Sequence, residues 1–141
     1  MAKPDPALLD PARYRRTTAI ATRYADLDTN RHINNIAMAA LFEDARVRFQ
    51  IDLAADGIMR PFMVASFAIE YLNQAHYPAP ITFHSAVIGH GRTSITVLQL
   101  AMQEGTPVAL GTSVMVLTDG TRPAPLPEEW PPRLALLALL P

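Results

Sequence analysis

Between positions 36 and 53 the apolar residues Met38, Leu41, Phe42, Ala45, Phe49 and Leu53 recur at three- and four-residue spacing. That spacing puts them on one stripe, so the pattern predicts a helix of about 18 residues, ~27 Å long. Asp44 and Arg48, four apart, and Glu43 and Arg46, three apart, fall on its more polar faces and are placed to pair. Asn34 and Asn35 precede the helix as capping residues, and Gly57 and Pro61 close it. Residues 17–24, rich in Thr, Ile and Tyr, read as a strand. Beyond the helix the segments 62–72, 81–88, 93–102 and 108–117 read as four more. The turns at 77–80, 89–91 and 103–106 are short, and Gly105 can supply the positive φ of a tight hairpin. Within 94–102 the apolar parity shifts from Ile95 and Val97 to Leu98, Leu100 and Met102, and a bulge or strong twist is expected there.

Strand, long helix, then strands joined by short turns imply antiparallel neighbours and an α+β domain, with one helix covering a curved sheet. The 141 residues suit one such domain spanning 1–141, with an N-terminal arm at 1–14 and a Pro-rich C-terminal tail at 123–141. No internal repeat or linker divides it.

Composition narrows the function classes. The formal net charge is −1 and no run of Lys and Arg forms a basic patch, so no nucleic-acid partner is expected. The absence of cysteine excludes disulfides, thiolate metal sites and a cysteine nucleophile, and fits a cytoplasmic setting. No apolar signal segment is visible in 1–16, and the apolar run 134–140 is too short to cross a bilayer, so no membrane partner is expected either. His76, His84 and His90 lack a metal-ligand spacing, no Ser lies in a G-x-S-x-G context, and no Gly-rich phosphate loop precedes a helix. Neither metal nor cofactor is called for.

The candidate site is the polar turn 26–35, between the first strand and the helix. Unpaired N–H groups at a helix N-terminus, together with the helix dipole, can stabilise an oxyanion. Asp28, a few residues upstream, can approach the same carbonyl as nucleophile or as base for water. Asn30 and His32 add a donor and a titratable group beside it. Asp and Asn are also ordinary turn and cap residues, and spacing alone leaves that structural reading open.

The stretch Arg23-Tyr-Ala-Asp-Leu-Asp28-Thr-Asn30-Arg-His32-Ile-Asn34-Asn35-Ile36, followed by Phe42-Glu43-Asp44-Ala45-Arg46, resembles the hotdog-fold thioesterases of the 4-hydroxybenzoyl-CoA thioesterase type. Its D-x-D-x-N-x-H-x-N-N spelling is similar to plant acyl-carrier-protein thioesterases and their bacterial relatives, and F-E-x-A-R to bacterial acyl-CoA thioesterases. The likeness extends through Ile69-Glu70-Tyr71-Leu72, Gly91-Arg92-Thr93-Ser94 and Gly120-Thr-Arg122-Pro. It implies a hotdog fold, a curved antiparallel sheet of about five strands wrapped on one long helix. It implies an acyl-CoA thioesterase that cleaves its substrate to free acid and thiol, with acyl-carrier protein as another possible thiol carrier. By the same resemblance Asp28, Asn30 and His32 are the catalytic set. Asn34, Asn35, Ile36, Met38, Arg92, Ser94 and Arg122 would meet the substrate, with the two arginines on coenzyme A phosphates. Met38 stands where the family often has Tyr, Gln74 where the plant enzymes carry an acidic residue, and Pro78-Ala79 where Gly-Asp is usual.

The family's active site lies between subunits, so a homodimer or homotetramer is expected. Two other readings keep the fold: a hydratase or dehydratase acting on enoyl-CoA, and a non-catalytic acyl-CoA-binding protein.

Overall fold

A computed structural model describes residues 3–141, so residues 1 and 2 of the arm lie outside the described part. Five strands form one sheet in the order β1-β3-β4-β5-β2: β1 (Arg16–Ile20), β2 (Phe62–Tyr71), β3 (Ile81–His90), β4 (Ser94–Gln103) and β5 (Thr106–Leu117). Every neighbouring pair is antiparallel. The helix α1 (Asn35–Leu53) crosses one face, and a short helix α2 (Trp130–Leu136) closes the chain. This is the α+β arrangement expected, one long helix on a curved five-stranded sheet.

α1 forms where the apolar stripe predicts it. Met38, Leu41, Phe42, Ala45, Phe49 and Leu53 are all buried. Asn34 caps it, its Oδ1 accepting from the Ala37 N–H at 2.7 Å. Phe42 sits where the sheet leaves room: a Cβ on Gly111 would lie 2.7 Å from its ring and 3.1 Å from that of Phe67. The Asp44–Arg48 pair forms at 2.8 Å. Arg46 behaves otherwise. It makes no salt bridge with Glu43 but turns inward, 4% exposed, over the Phe67 ring at 5.1 Å, with Nη1 3.4 Å from Ser113 Oγ. Burial pushes its pKa down, and the Glu43 charge pushes back.

Two strand expectations change. The first strand stops at Ile20, paired with Ile81, and the chain turns through a tight 3-10 turn, Tyr24–Asp26, in place of a strand reaching residue 24. Pro80 precedes Ile81 and has no N–H to continue the ladder. In β4 the parity shift has another cause than a bulge. The extra residues lie in its partners, at Ile88 of β3 and Val108 of β5, while β4 runs regularly from Ser94 to Ala101. Its two faces are both buried. Ile95 and Val97 pack with Phe49 and Leu53 of α1. Leu98 and Leu100 pack with Tyr14, Leu8, Leu9 and Leu139 from the arm and tail. A strand covered on both sides loses its alternation. The β4–β5 hairpin turns through Glu104 at φ 49° and Gly105 at φ 79°, as the glycine predicts.

Arm and tail clasp each other. The Arg13 Nε donates to the Leu140 carbonyl at 2.7 Å, and the Leu140 N–H to the Arg13 carbonyl at 2.8 Å. The apolar tail goes to packing, with Trp130, Leu134 and Leu137 buried beside Phe49 and Leu53. Among the described residues no helix is long and apolar enough to cross a membrane.

Candidate active site

The turn before α1 is built on Asp26. Its carboxylate is 2% exposed and takes three bonds from Arg23: the backbone N–H at 2.9 Å, Nε at 3.1 Å and Nη2 at 2.8 Å. Burial pushes this carboxyl up, but the Arg23 hydrogen bonds and charge outweigh it and hold it below the ordinary value. The Asp26 carbonyl then accepts from the Asn34 N–H at 2.9 Å and from its Nδ2 at 3.0 Å, which draws the turn shut against the helix. Asp26 therefore has no free oxygen for chemistry.

Asp28 is arranged differently. It is exposed, and its N–H donates to the His32 carbonyl at 2.9 Å. One carboxylate oxygen, Oδ1, accepts from the Asn30 N–H at 2.8 Å and the His32 N–H at 3.1 Å. Among the described residues nothing donates to Oδ2. The turn closes through Arg31, at φ 63°, and a bridge between Leu27 and Ile33. One oxygen is thus fixed by the backbone and the other is left for a substrate or water.

Asp28 lines a cleft of about 520 Å³ together with Ile33, Asn35, Met38, Tyr71, Leu72, Asn73, Gln74 and Ala75. Residues 71–75 of that lining begin the segment 71–80, which is anchored over long range. Gln103, at the end of β4, accepts from the His76 N–H at 2.8 Å and donates to the carbonyls of His76 at 2.8 Å and Ala79 at 2.9 Å. The Thr22 hydroxyl donates to the same Ala79 carbonyl at 3.0 Å, and the Ile33 N–H to that of Ala75 at 2.8 Å. The Tyr77–Pro78 bond is cis. Tyr71 Oη donates to the Asn35 carbonyl at 3.1 Å, and burial pushes its pKa up, so the phenol stays a donor.

The helix start supplies the complementary groups. The Asn34 N–H is taken by Asp26 and the Ala37 N–H by Asn34 Oδ1. Asn35 and Ile36, the first two residues of α1, have N–H groups that no described residue accepts. These two are the helix-start donors left open among the described residues.

The residues singled out from sequence separate into three groups. Asp28, Asn35 and Met38 line the cleft, with buried Met38 as an apolar wall. Asn30, His32, Asn34 and Ile36 flank it. The side chain of Asn30 is exposed, and the His32 ring stands edge-on to His76 with centroids 5.2 Å apart. Asn30 and His32 reach Asp28 through their backbone N–H groups. Arg92, Ser94 and Arg122 lie at the other end of the molecule. Ser94 opens β4, whereas Gln103 at the far end of that strand holds the cleft loop, and nine strand residues span roughly 30 Å. Within one chain these three do not reach Asp28. Tyr71 and Asn73 enter the cleft without having been singled out. The clue was a polar-tipped aromatic and an amide at a strand end. No group of three or more His, Asp or Glu able to hold a metal comes together among the described residues.

The comparisons bear on the family and the fold. A thioesterase from Thermus thermophilus, solved with coenzyme A and zinc, is 29% identical over 89% of this chain and 95% of its own, at a TM-score of 0.80. A protein from Bacillus stearothermophilus described as a predicted thioesterase is 28% identical over 89% and 97%, at 0.78. A DHNA-CoA thioesterase from Staphylococcus aureus, 21% identical over 82% and 83% at 0.70, shares the fold. No curated protein sequence matches the chain. The profile of the thioesterase-like superfamily matches residues 22–135. With the Asp28 turn, the cleft and the helix start all inside that span, the chain belongs to the thioesterase-like superfamily and is a thioester hydrolase.

Proposed function

We propose that the cleft hydrolyses acyl-CoA thioesters, with Asp28 Oδ2 as the working atom. The observation that carries this reading is the division of labour on one carboxylate. Oδ1 is pinned by two backbone N–H groups and Oδ2 meets no donor among the described residues, in a cleft that Asn35 also lines and beside a helix start where the N–H groups of Asn35 and Ile36 stay unpaired. A thioester carbonyl placed there would direct its oxygen to those donors as charge develops, and the α1 dipole adds to the stabilisation. As base, Oδ2 takes a proton from water as the water oxygen attacks the carbonyl carbon and the thiolate leaves. As nucleophile, it forms an acyl anhydride that water then opens. Asn30 and His32 hold the carboxylate in place through their backbone.

Coenzyme A as thiol carrier is supported by the Thermus relative, whose structure contains it. A homodimer or homotetramer belongs to the same reading. Arg92 and Arg122 would meet a substrate only in a neighbouring subunit's cleft, and α1 and β2 expose Ile36, Val47, Ile51, Met63 and Val64. The setting is cytoplasmic.

The test is thiol release from short, medium, long and aryl acyl-CoAs, wild type beside Asp28→Asn. The chain has no cysteine, so a thiol reagent reads only released coenzyme A. The replacement amide keeps an oxygen for the Asn30 and His32 N–H groups and removes the charge, so the turn survives. Turnover should fall at least ~100-fold. No release by the wild type, or an unimpaired variant, would defeat the reading. Loss of enoyl-CoA absorbance without thiol release would turn it toward hydration.

A further inference from the structure

We propose that a hollow beneath the N-terminal arm is an acyl-chain subsite, which suits the cleft to fatty-acyl rather than short or aryl thioesters. This rests on the thioesterase reading of the neighbouring cleft. The hollow has a volume of about 570 Å³, within the range of small-molecule sites. Tyr71, Leu72 and Asn73 line both it and the cleft of Asp28, so one short wall divides the two spaces. That wall is fixed. The Leu72 and Asn73 N–H groups donate to the Val108 carbonyl at 2.9 and 3.3 Å, and Asn73 Nδ2 donates to that of Pro107 at 2.8 Å.

The lining decides which part of a thioester fits. The arm contributes Pro4, Pro6 and Leu9, β5 contributes Pro107, and the shared wall contributes Leu72. The polar groups among them are already bonded within the fold. Asp5 Oδ1 accepts from the Ala7 N–H at 2.9 Å, Asn73 Nδ2 is held by Pro107, and Tyr71 Oη donates to the Asn35 carbonyl at 3.1 Å. The lining holds a single cation, Lys3. A diphosphate needs several cations, and the amides of a pantetheine arm need free partners. An alkyl chain needs only apolar surface and gains by leaving water. The arm itself is held in place. Arg13 Nη1 donates to the Ala7 carbonyl at 2.8 Å and Tyr14 Oη to that of Leu8 at 2.7 Å, while Arg13 also clasps Leu140. A chain whose thioester carbonyl lies in the cleft therefore runs past the shared wall and ends under the arm.

Filling the hollow from either side tests this. Pro6→Trp acts from the arm and Pro107→Trp from β5. Neither residue lines the cleft, Pro6 is exposed, and the Pro107 carbonyl that Asn73 uses is retained. The assay is coenzyme A release from straight-chain thioesters, acetyl through palmitoyl, with the melting temperature as the check on folding. In the wild type kcat/KM should climb about two- to fourfold per methylene until the hollow is full. In both variants the climb should stop at a shorter chain. Palmitoyl-CoA should lose at least about tenfold in kcat/KM while acetyl-CoA stays within about twofold. A climb that survives in either variant at native melting temperature would overturn the subsite while the hydrolase reading stands. So would a wild type indifferent to chain length, or a loss shared equally by acetyl- and palmitoyl-CoA. If the wild type cleaves no thioester in the series, the reading beneath the subsite has failed with it.

Discussion

The two ends of α1 carry hollows of similar size and opposite character. At the N-terminal end the cleft of about 520 Å³ holds Asp28, with one carboxylate oxygen unengaged. Past the C-terminal end a hollow of about 450 Å³ holds Asp56, which also sits in a short turn. There Oδ1 accepts from the Ile58 N–H at 2.9 Å and Oδ2 from Arg60 Nη2 at 2.8 Å. The Arg60 hydrogen bonds, with the Ile58 N–H, hold the Asp56 carboxyl below its ordinary value. Volume does not distinguish the two places. What distinguishes them is whether the fold has already used the charged group, and the proposed hydrolase reading draws on the end where an unused carboxylate oxygen stands beside unused N–H donors.

Substitutions at the two ends should separate activity from stability. Asp28→Asn should lower turnover at least ~100-fold with little change in melting temperature, while Asp56→Asn should leave turnover within about twofold of wild type. Equal losses from both would erase the distinction. Trp130→Ala, at the packed end, should cost about 3–5 kcal/mol of stability in denaturant unfolding, with kcat of the folded fraction retained. Gln103→Ala should fall between, since it frees the loop wall of the cleft. About 1–3 kcal/mol of stability should be lost, together with a higher KM, because the His76 groups lose their partner.

The smallest effect is in acid. The Asp26 carboxyl is held below its ordinary value of 3.8. It therefore contributes stability that is full above that value and is lost as pH falls through the lower folded value. Asp26→Asn should reduce the melting temperature at pH 6 by about 3 °C and make its decline below pH 4 shallower. An unchanged acid profile would show that Asp26 is not the turn's anchor.

Much of the fold is legible in the sequence because it rests on local pattern. The stripe from Met38 to Leu53 sets α1, and Glu104-Gly105 sets the hairpin. Patterns that depend on distant partners mislead. The β4 parity shift looks like a bulge until the arm and tail are seen to cover its second face. Arg46 looks like a surface pairing partner until Phe67 and Ser113, distant in sequence, are folded beneath it. The site divides the same way. Asp28 and Asn35 share one short turn and a helix start, so resemblance and helix electrostatics point to them together. Tyr71 and Asn73 join the cleft because Gln103, 27 residues from His76, ties down the loop that follows them, and no local pattern announces that tie.

Coverage of β4 on both faces also has a consequence for motion. Its amides lie between two full-length neighbours under side chains on either side, so they should exchange with solvent only through global unfolding. β2, paired on one edge alone, and the segment 71–80 should open far more readily. The cleft is thus hinged to the slowest-exchanging strand through the side chain of Gln103, and its wall can breathe many times during the lifetime of a single folded molecule.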